Sequence, residues 1–229
     1  MKRSFALLCG LALAASLSLA SAVPAAAAEP TPIIFVHGFA GKGEQWSTMR
    51  ASLVKSGYPA DRLHVFSYDW LRSNRTIADR LSAYTDDVRD QHGADRVHLV
   101  SHSMGGLSTR WYIKFLGGDQ TVDQWISIGG PNNGTDLAHL CTSLITPCAE
   151  MRHGSGFLTE LNRGDPTPGR VDYTTFRSPC DLVISPYDST SLDGADNIRT
   201  GCLEHISMMW SSSVIDGVRS TVGAPAAVG

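Results

Sequence analysis

The chain has 229 residues, of which 42% are hydrophobic and 18% charged, and a formal net charge of −3 at pH 7. Loss of Lys2 and Arg3 with an amino-terminal leader takes that charge to −5, and no basic run or aromatic-basic stripe is present to neutralise phosphates, which argues against a nucleic-acid partner. With residues 1–28 set aside, roughly 200 remain, enough for one domain with a full core and too few for two.

Lys2 and Arg3 precede an apolar run from Phe5 to Val23, and Ala26-Ala27-Ala28 before Glu29 offers an A-x-A cleavage site. Together they read as a secretory signal peptide over 1–28, leaving 29–229 as a single secreted, extracellular domain. Pro24 and the small residues around it favour cleavage over anchoring, and Leu8 before Cys9 is not the small residue a lipoprotein site requires. No second long apolar run follows. Cys9 leaves with the leader, so Cys141, Cys148, Cys180 and Cys202 remain, an even count that reads in an oxidising compartment as two disulfides with three connectivities. The spacings fit neither CxxC nor HExxH, so neither a metal centre nor a cofactor is expected.

From Ile33 onward the pattern alternates strand and helix. Ile33 to Val36 is a wholly apolar run ending at His37-Gly38, as a buried parallel strand does. A helix is expected from Trp46 to Lys55, stopped by Gly57 and Pro59. A strand follows from Leu63 to Tyr68, then a helix from Ile77 to Val88 with Ile77, Leu81, Tyr84 and Val88 on one face. The third strand begins at Val97, its following helix runs to Leu116 before Gly117-Gly118, and a fourth strand covers Val122 to Ile128. A weaker strand at Val171 to Phe176, a short one near Asn197-Ile198 and a last helix from Ile206 to Val218 complete the series. This order implies a mostly parallel sheet with helices on both faces and ligand sites at the carboxyl ends of the strands. Residues 131–170 are the one stretch long enough to form a partial cover.

Val97 to Leu107 carries the chemistry. An apolar strand runs into Ser101-His102-Ser103-Met104-Gly105-Gly106 and then a helix, a nucleophile elbow in which Ser103 is held in a strained turn with its hydroxyl above the sheet. The first position is Ser101 rather than the usual glycine, so the strand and helix must accommodate a hydroxymethyl group; a helix N-cap serine is the plainer reading. A serine hydroxyl needs a histidine to take its proton and a carboxylate to orient that histidine. The elbow fold sets the order serine, acid, histidine, which selects His205, read as the start of the last helix. Its plainer role is that of a helix-terminus histidine. Among Asp172, Asp181, Asp188, Asp193 and Asp196, Asp181 follows a strand end and adjoins Cys180, while Cys202 lies three residues before His205. Bridges Cys180–Cys202 and Cys141–Cys148 are therefore expected, the first holding acid and base loops in register. The oxyanion donors expected are the backbone N–H groups of Met104 and Phe39, the latter in His37-Gly38-Phe39-Ala40-Gly41. His37 reads as a hydrogen-bonded structural residue.

Val-His-Gly-Phe, Ser-His-Ser-Met-Gly-Gly, Cys-Asp-Leu-Val-Ile and Glu-His-Ile together resemble the small secreted class 2 lipases of bacilli and actinomycetes, over nearly all of 32–218. The resemblance implies a minimal α/β-hydrolase fold with about six parallel strands and no large lid. It also implies Ser103 as nucleophile, Asp181 as acid, His205 as base, and Phe39 with Met104 as oxyanion donors. The four cysteines and the longer 131–170 segment depart from that family.

The activity expected is ester hydrolysis, lipase or esterase, through an acyl-serine, by a monomer that meets a lipid interface transiently. Phe39, Trp70, Met104, Val183 and Ile206, with Leu71, Ile184 and Met208, are the apolar residues expected at the mouth of the site. Polyester or cutin hydrolysis, amide cleavage and acyl transfer remain open because the triad does not choose the leaving group. An inactive binding protein of the same fold is the non-enzyme alternative. A hinged helical lid is not expected; the opposing arrangement is a short helix over Gly156 to Leu161 folded across Ser103.

Overall fold

The computed structural model describes residues 29–224; the expected signal peptide lies outside the described residues. Six strands form one parallel sheet: β1 (Ile33–Val36), β2 (Leu63–Phe66), β3 (Val97–His102), β4 (Val122–Ile128), β5 (Asp172–Arg177) and β6 (Asp196–Arg199), in the order β2-β1-β3-β4-β5-β6. The expected strands are present, β1 and β4 with the expected ends; β2 stops at Phe66, two residues early, β5 is displaced by one residue, and the short sixth strand spans four residues.

Alternation along β1 divides the interior into two layers. Ile34 and Val36 point to one face, where they join Leu99 and Trp125 and pack against α2 (Asn74–His92) and α3 (Gly105–Phe115). Ile33 and Phe35 point to the other face, with Val100 and Ile126. There they meet Trp46, α1 (Ser47–Lys55) and the last helix. A strand whose residues are all buried, as in β1 and β3, loses the apolar-polar alternation of a half-exposed strand because both of its faces are covered.

α2 is longer than its apolar stripe indicates. Ser73 caps it by accepting from Arg75 N–H, and Gly93, at φ 57°, ends it with its N–H on the Arg89 and Asp90 carbonyls. Residues 131–170 contribute α5 (Thr146–Glu150) and α6 (Gly156–Asn162), the short α4 (Gly118–Thr121) lying before β4. α6 does not cross Ser103. Its Phe157, Leu158 and Leu161 are buried in the α2/α3 layer, with Phe157 stacked 5.0 Å from Trp111, so its apolar face is already used.

The expected last helix, Ile206 to Val218, is in fact two pieces: a 3-10 turn at Ser207–Trp210 and α7 at Ser212–Thr221, separated by Ser211 in an extended conformation. Three serines in a row, two of which bond hydroxyl to hydroxyl (Ser211 and Ser213, 2.9 Å), compete with helical hydrogen bonding at that point. His205 consequently precedes a turn rather than opening a long helix.

β1 connects outward to β2 and β3 connects outward to β4, so the direction of winding reverses between β1 and β3. Loops leaving the carboxyl ends of these two neighbours diverge and leave a crevice, the usual ligand position in an open parallel sheet.

Candidate active site

Ser103 stands at the reversal, in the turn between β3 and α3, with φ +54°; it and Ala40 are the non-glycine residues with positive φ among those described. That region is costly for a side chain and persists where surrounding packing enforces it. Here the enforcement is close approach. A methyl group at Gly105 would lie 2.5 Å from the His37 carbonyl oxygen, and one at Gly106 2.7 Å from Ser127 Oγ, so α3 starts hard against β1 and β4. The hydroxymethyl of Ser101 fits because its Oγ donates to the Ile126 carbonyl at 3.0 Å.

Asp181 and His205 are brought together. His205 Nδ1–H donates to Asp181 Oδ2 at 2.8 Å, and both side chains are almost wholly buried. Asp181 Oδ1 accepts from the N–H groups of Val183 and Ile184, each at 2.9 Å, so the carboxylate is satisfied on both oxygens and cannot swing away. With Nδ1 committed as donor, the neutral ring presents Nε2 as its acceptor. The pair adjoins the end of β4: a methyl at Gly129 would lie 3.1 Å from His205 Nδ1 and 3.2 Å from Asp181 Oδ2, while the preceding Ile128 carbonyl accepts from Ser103 N–H at 2.9 Å. Cys180–Cys202 is bonded, joining the residue before Asp181 to the loop that leads into His205; Cys141–Cys148 is bonded as well.

His102, part of the elbow run but given no role in the sequence reading, is a third member of this cluster. Its Nε2–H donates to the His205 carbonyl at 3.1 Å, and the two rings lie 4.6 Å apart. Burial, and after it the neighbouring His205, pushes its pKa down to about 3, so it stays neutral and anchors the His205 backbone as a donor. Its place between Ser101 and Ser103 was the available signal.

The loop after β1 passes over the elbow. A methyl at Gly38 would sit 2.7 Å from Ser103 Cβ. Among the described residues, the N–H groups of Phe39 and Met104 donate to no protein acceptor. His37 is structural, as its sequence context indicates: it is buried, its ring stacks 4.0 Å from Tyr68, Nδ1–H donates to the Gly38 carbonyl at 2.9 Å, and Nε2 accepts from Tyr68 N–H at 3.4 Å.

An apolar cavity of about 280 Å³ opens on Ser103, walled by Phe39, Val183 and Ile184 on one side and by Leu137, Leu140 and the Cys141–Cys148 bridge on the other. A second apolar cavity, sharing Val183, lies against His205, between Leu182 and Ile206. Phe39, Val183, Ile184 and Ile206 thus reach the mouth. Four expected members do not, Leu71 among them: the Met104 and Met208 side chains are fully buried core, and Trp70 supports Phe39 edge-on at 4.5 Å. Met104 at the elbow and Met208 in the 3-10 turn after His205 point inward, a direction that apolar character alone does not reveal. Leu71 is half-exposed and lines neither cavity. The wall residues 137–151 were missed because their segment read as a cover rather than a side wall.

Burial also lowers the pKa values of His37 and His98, the latter to about 4 against a partial opposing pull from Asp123. Between pH 6.5 and those values the unfolded chain binds protons that the folded protein refuses, so stability is full above pH 6.5 and falls as pH drops toward 4. Each such histidine contributes a slope of at most roughly 1.4 kcal/mol per pH unit. Denaturant titrations at pH 8, 6 and 5 should therefore show the unfolding free energy declining, and His98→Gln should flatten the decline. An identical slope in wild type and His98→Gln would contradict this account.

Residues 30–199 match the profile of the family described as Lipase (class 2). A triacylglycerol lipase of Burkholderia plantarii is 34% identical over 148 residues, covering 59% of this chain and 39% of that protein. One of Pseudarthrobacter phenanthrenivorans is 32% identical over 125 residues, covering 52% and 39%. The matched region spans about two fifths of the length of these curated relatives. Among solved structures, the mature Bacillus licheniformis lipase BlEst2 superimposes with a TM-score of 0.69 at 18% identity, covering 87% of this chain and 94% of that one. Aspergillus fumigatus lipase B gives 0.64 at 19%, covering 87% and 58%. These likenesses identify the α/β-hydrolase fold, and with residues 30–199 inside the family profile, the chain belongs to the class 2 lipase family.

Proposed function

We propose that the protein is a secreted carboxylic-ester hydrolase of lipase or esterase type, with Ser103 as nucleophile, His205 as general base and Asp181 as the group that orients it. The observation that carries this reading is the Asp181–His205 bond at 2.8 Å, with Asp181 held by two further N–H donors, beside a serine at φ +54°. Family membership supports the ester as the reacting bond. The two disulfides support an oxidising, extracellular setting.

In acylation, Ser103 Oγ bonds to the ester carbonyl carbon as its proton passes to His205 Nε2, and the carbonyl π pair becomes an oxyanion that accepts from Phe39 and Met104 N–H. Collapse breaks the bond to the alcohol oxygen, which takes the proton from His205. Water then repeats the sequence on the acyl-serine, releasing the acid and restoring Ser103. Asp181 orients the ring and stabilises the imidazolium. Because His205 protonates the alcohol, the cavity against His205 receives the alcohol part and the cavity against Ser103 and Phe39 receives the acyl chain.

A fluorophosphonate probe followed by peptide mapping tests this assignment. One label per chain on Ser103, blocked by Ser103→Ala, is the expected result. No label on Ser103 in folded protein, with no hydrolysis of p-nitrophenyl acetate, would overturn it.

A further inference from the structure

The cysteine-lined wall of the acyl cavity has two unequal parts. Cys148 is 1% exposed and sits in α5, whose Glu150 is buried and accepts from Ser73 Oγ at 2.6 Å, Asn74 N–H at 2.8 Å and Asn74 Nδ2 at 2.8 Å, all at the start of α2. That side is fixed to the body of the protein. The adjoining part of the same wall, Leu137 to Cys141, is carried on an exposed loop in which Leu140 is 83% and Leu144 92% exposed. Beyond its own turn hydrogen bonds, those to Thr135 and the burial of Ala138 in the core, segment 138–142 is tied down, among the described residues, by the Arg152 side chain, which donates to the Ala138 carbonyl at 3.3 Å and the Cys141 carbonyl at 2.9 Å, and by the disulfide.

We propose that the Cys141–Cys148 bridge is a specificity determinant: it transmits the rigidity of the Glu150 anchor to the outer wall and so limits the acyl chain to medium length. The cavity volume of about 280 Å³ equals that of about nine water molecules at roughly 30 Å³ each, and a methylene group is of similar size. An acyl chain of about eight carbons fills it, and a longer one must push the Leu137–Cys141 wall aside or leave its tail in solvent. Both cysteines line the cavity, so the bridge is itself part of the surface the chain touches. An apolar pocket discriminates between chain lengths only as far as its walls resist displacement. This inference rests on the ester-hydrolase reading and adds its substrate class.

The test compares kcat/KM for p-nitrophenyl acetate, octanoate and hexadecanoate in detergent dispersion, for wild type and for the double variant Cys141→Ser/Cys148→Ser. The readout is the ratio of rates within each protein, which cancels any loss of folded enzyme. Wild type should favour octanoate over both others, and the double variant should raise the hexadecanoate-to-octanoate ratio by roughly tenfold. Leu137→Trp, at a half-exposed rim position that leaves the bridge in place, should instead lower the octanoate-to-acetate ratio, and it supplies the answer if the double variant does not fold. Ratios unchanged in Leu137→Trp and in any folded double variant would overturn the proposal while Ser103 still takes the phosphonate label. Loss of that label in wild type would instead remove the hydrolase reading beneath it.

Discussion

Replacement of Ser103 by Ala is expected to lower ester turnover by about 10⁴- to 10⁶-fold, and His205→Ala by a similar factor, with the double variant no worse than either alone. The non-additivity follows from the mechanism: without the nucleophile there is no proton for His205 to accept, and without His205 the Ser103 hydroxyl stays protonated at neutral pH. Asp181→Asn should cost about 10⁴-fold. Asparagine keeps the shape, but its NH₂ group placed opposite His205 Nδ1 would favour the wrong tautomer, and the charge that stabilises the imidazolium is gone. Hydrolysis of a soluble ester, measured after circular dichroism has established that each variant is folded, decides the matter. A Ser103→Ala protein with more than a hundredth of wild-type turnover would sink the assignment.

The elements that position this site were readable because they rest on short-range rules. Ile33–Val36 and Val97–Val100 are apolar on both faces, which marks buried parallel strands, and the Ser-x-Ser-x-Gly run between strand and helix marks the turn that presents Ser103. The pairing of Asp181 with His205 was legible for a different reason: the cysteines adjoining them constrain two distant loops at once. Other features depended on long-range packing. Whether Met104 and Met208 point into a cavity or into the core is decided by the local turn and by neighbours far along the chain, and a hydrophobicity pattern is the same in either case. The break at Ser211 depended on competition between serine hydroxyls and helical hydrogen bonding that a periodic apolar stripe conceals. Segment 131–170, rich in turn formers, has little periodicity of its own. Its role as the cavity wall depends on Thr135, whose Oγ1 donates to the Val183 carbonyl and accepts from Ser185 N–H, and on Glu150, whose partners lie 76 and 77 residues away.

Those Glu150 contacts lead to the second large expected effect. A carboxylate at the amino end of α2 meets unpaired backbone donors and the positive end of the helix dipole, and here it accepts three hydrogen bonds while almost wholly buried. Glu150→Ala removes both acceptor oxygens and all three hydrogen bonds, leaving Asn74 N–H and the Asn74 amide without partners at a site closed to water, a loss of about 2–4 kcal/mol given that bonds to charged groups contribute roughly 1.5–3 kcal/mol each and are not additive. Glu150→Gln retains one amide oxygen for the two Asn74 donors and should recover about half of the loss. The same anchor holds the rigid side of the acyl cavity, so Glu150→Ala should also weaken octanoate selectivity relative to acetate, whereas a destabilising change in the opposite layer, such as Ile215→Ala on α7, should lower stability without altering that ratio. Urea unfolding combined with the two-ester ratio separates the two effects. Equal stability of Glu150→Ala and wild type would mean that α2 does not depend on this carboxylate, and a lowered stability with an unchanged ester ratio would mean that α5 holds its place at the cavity without it.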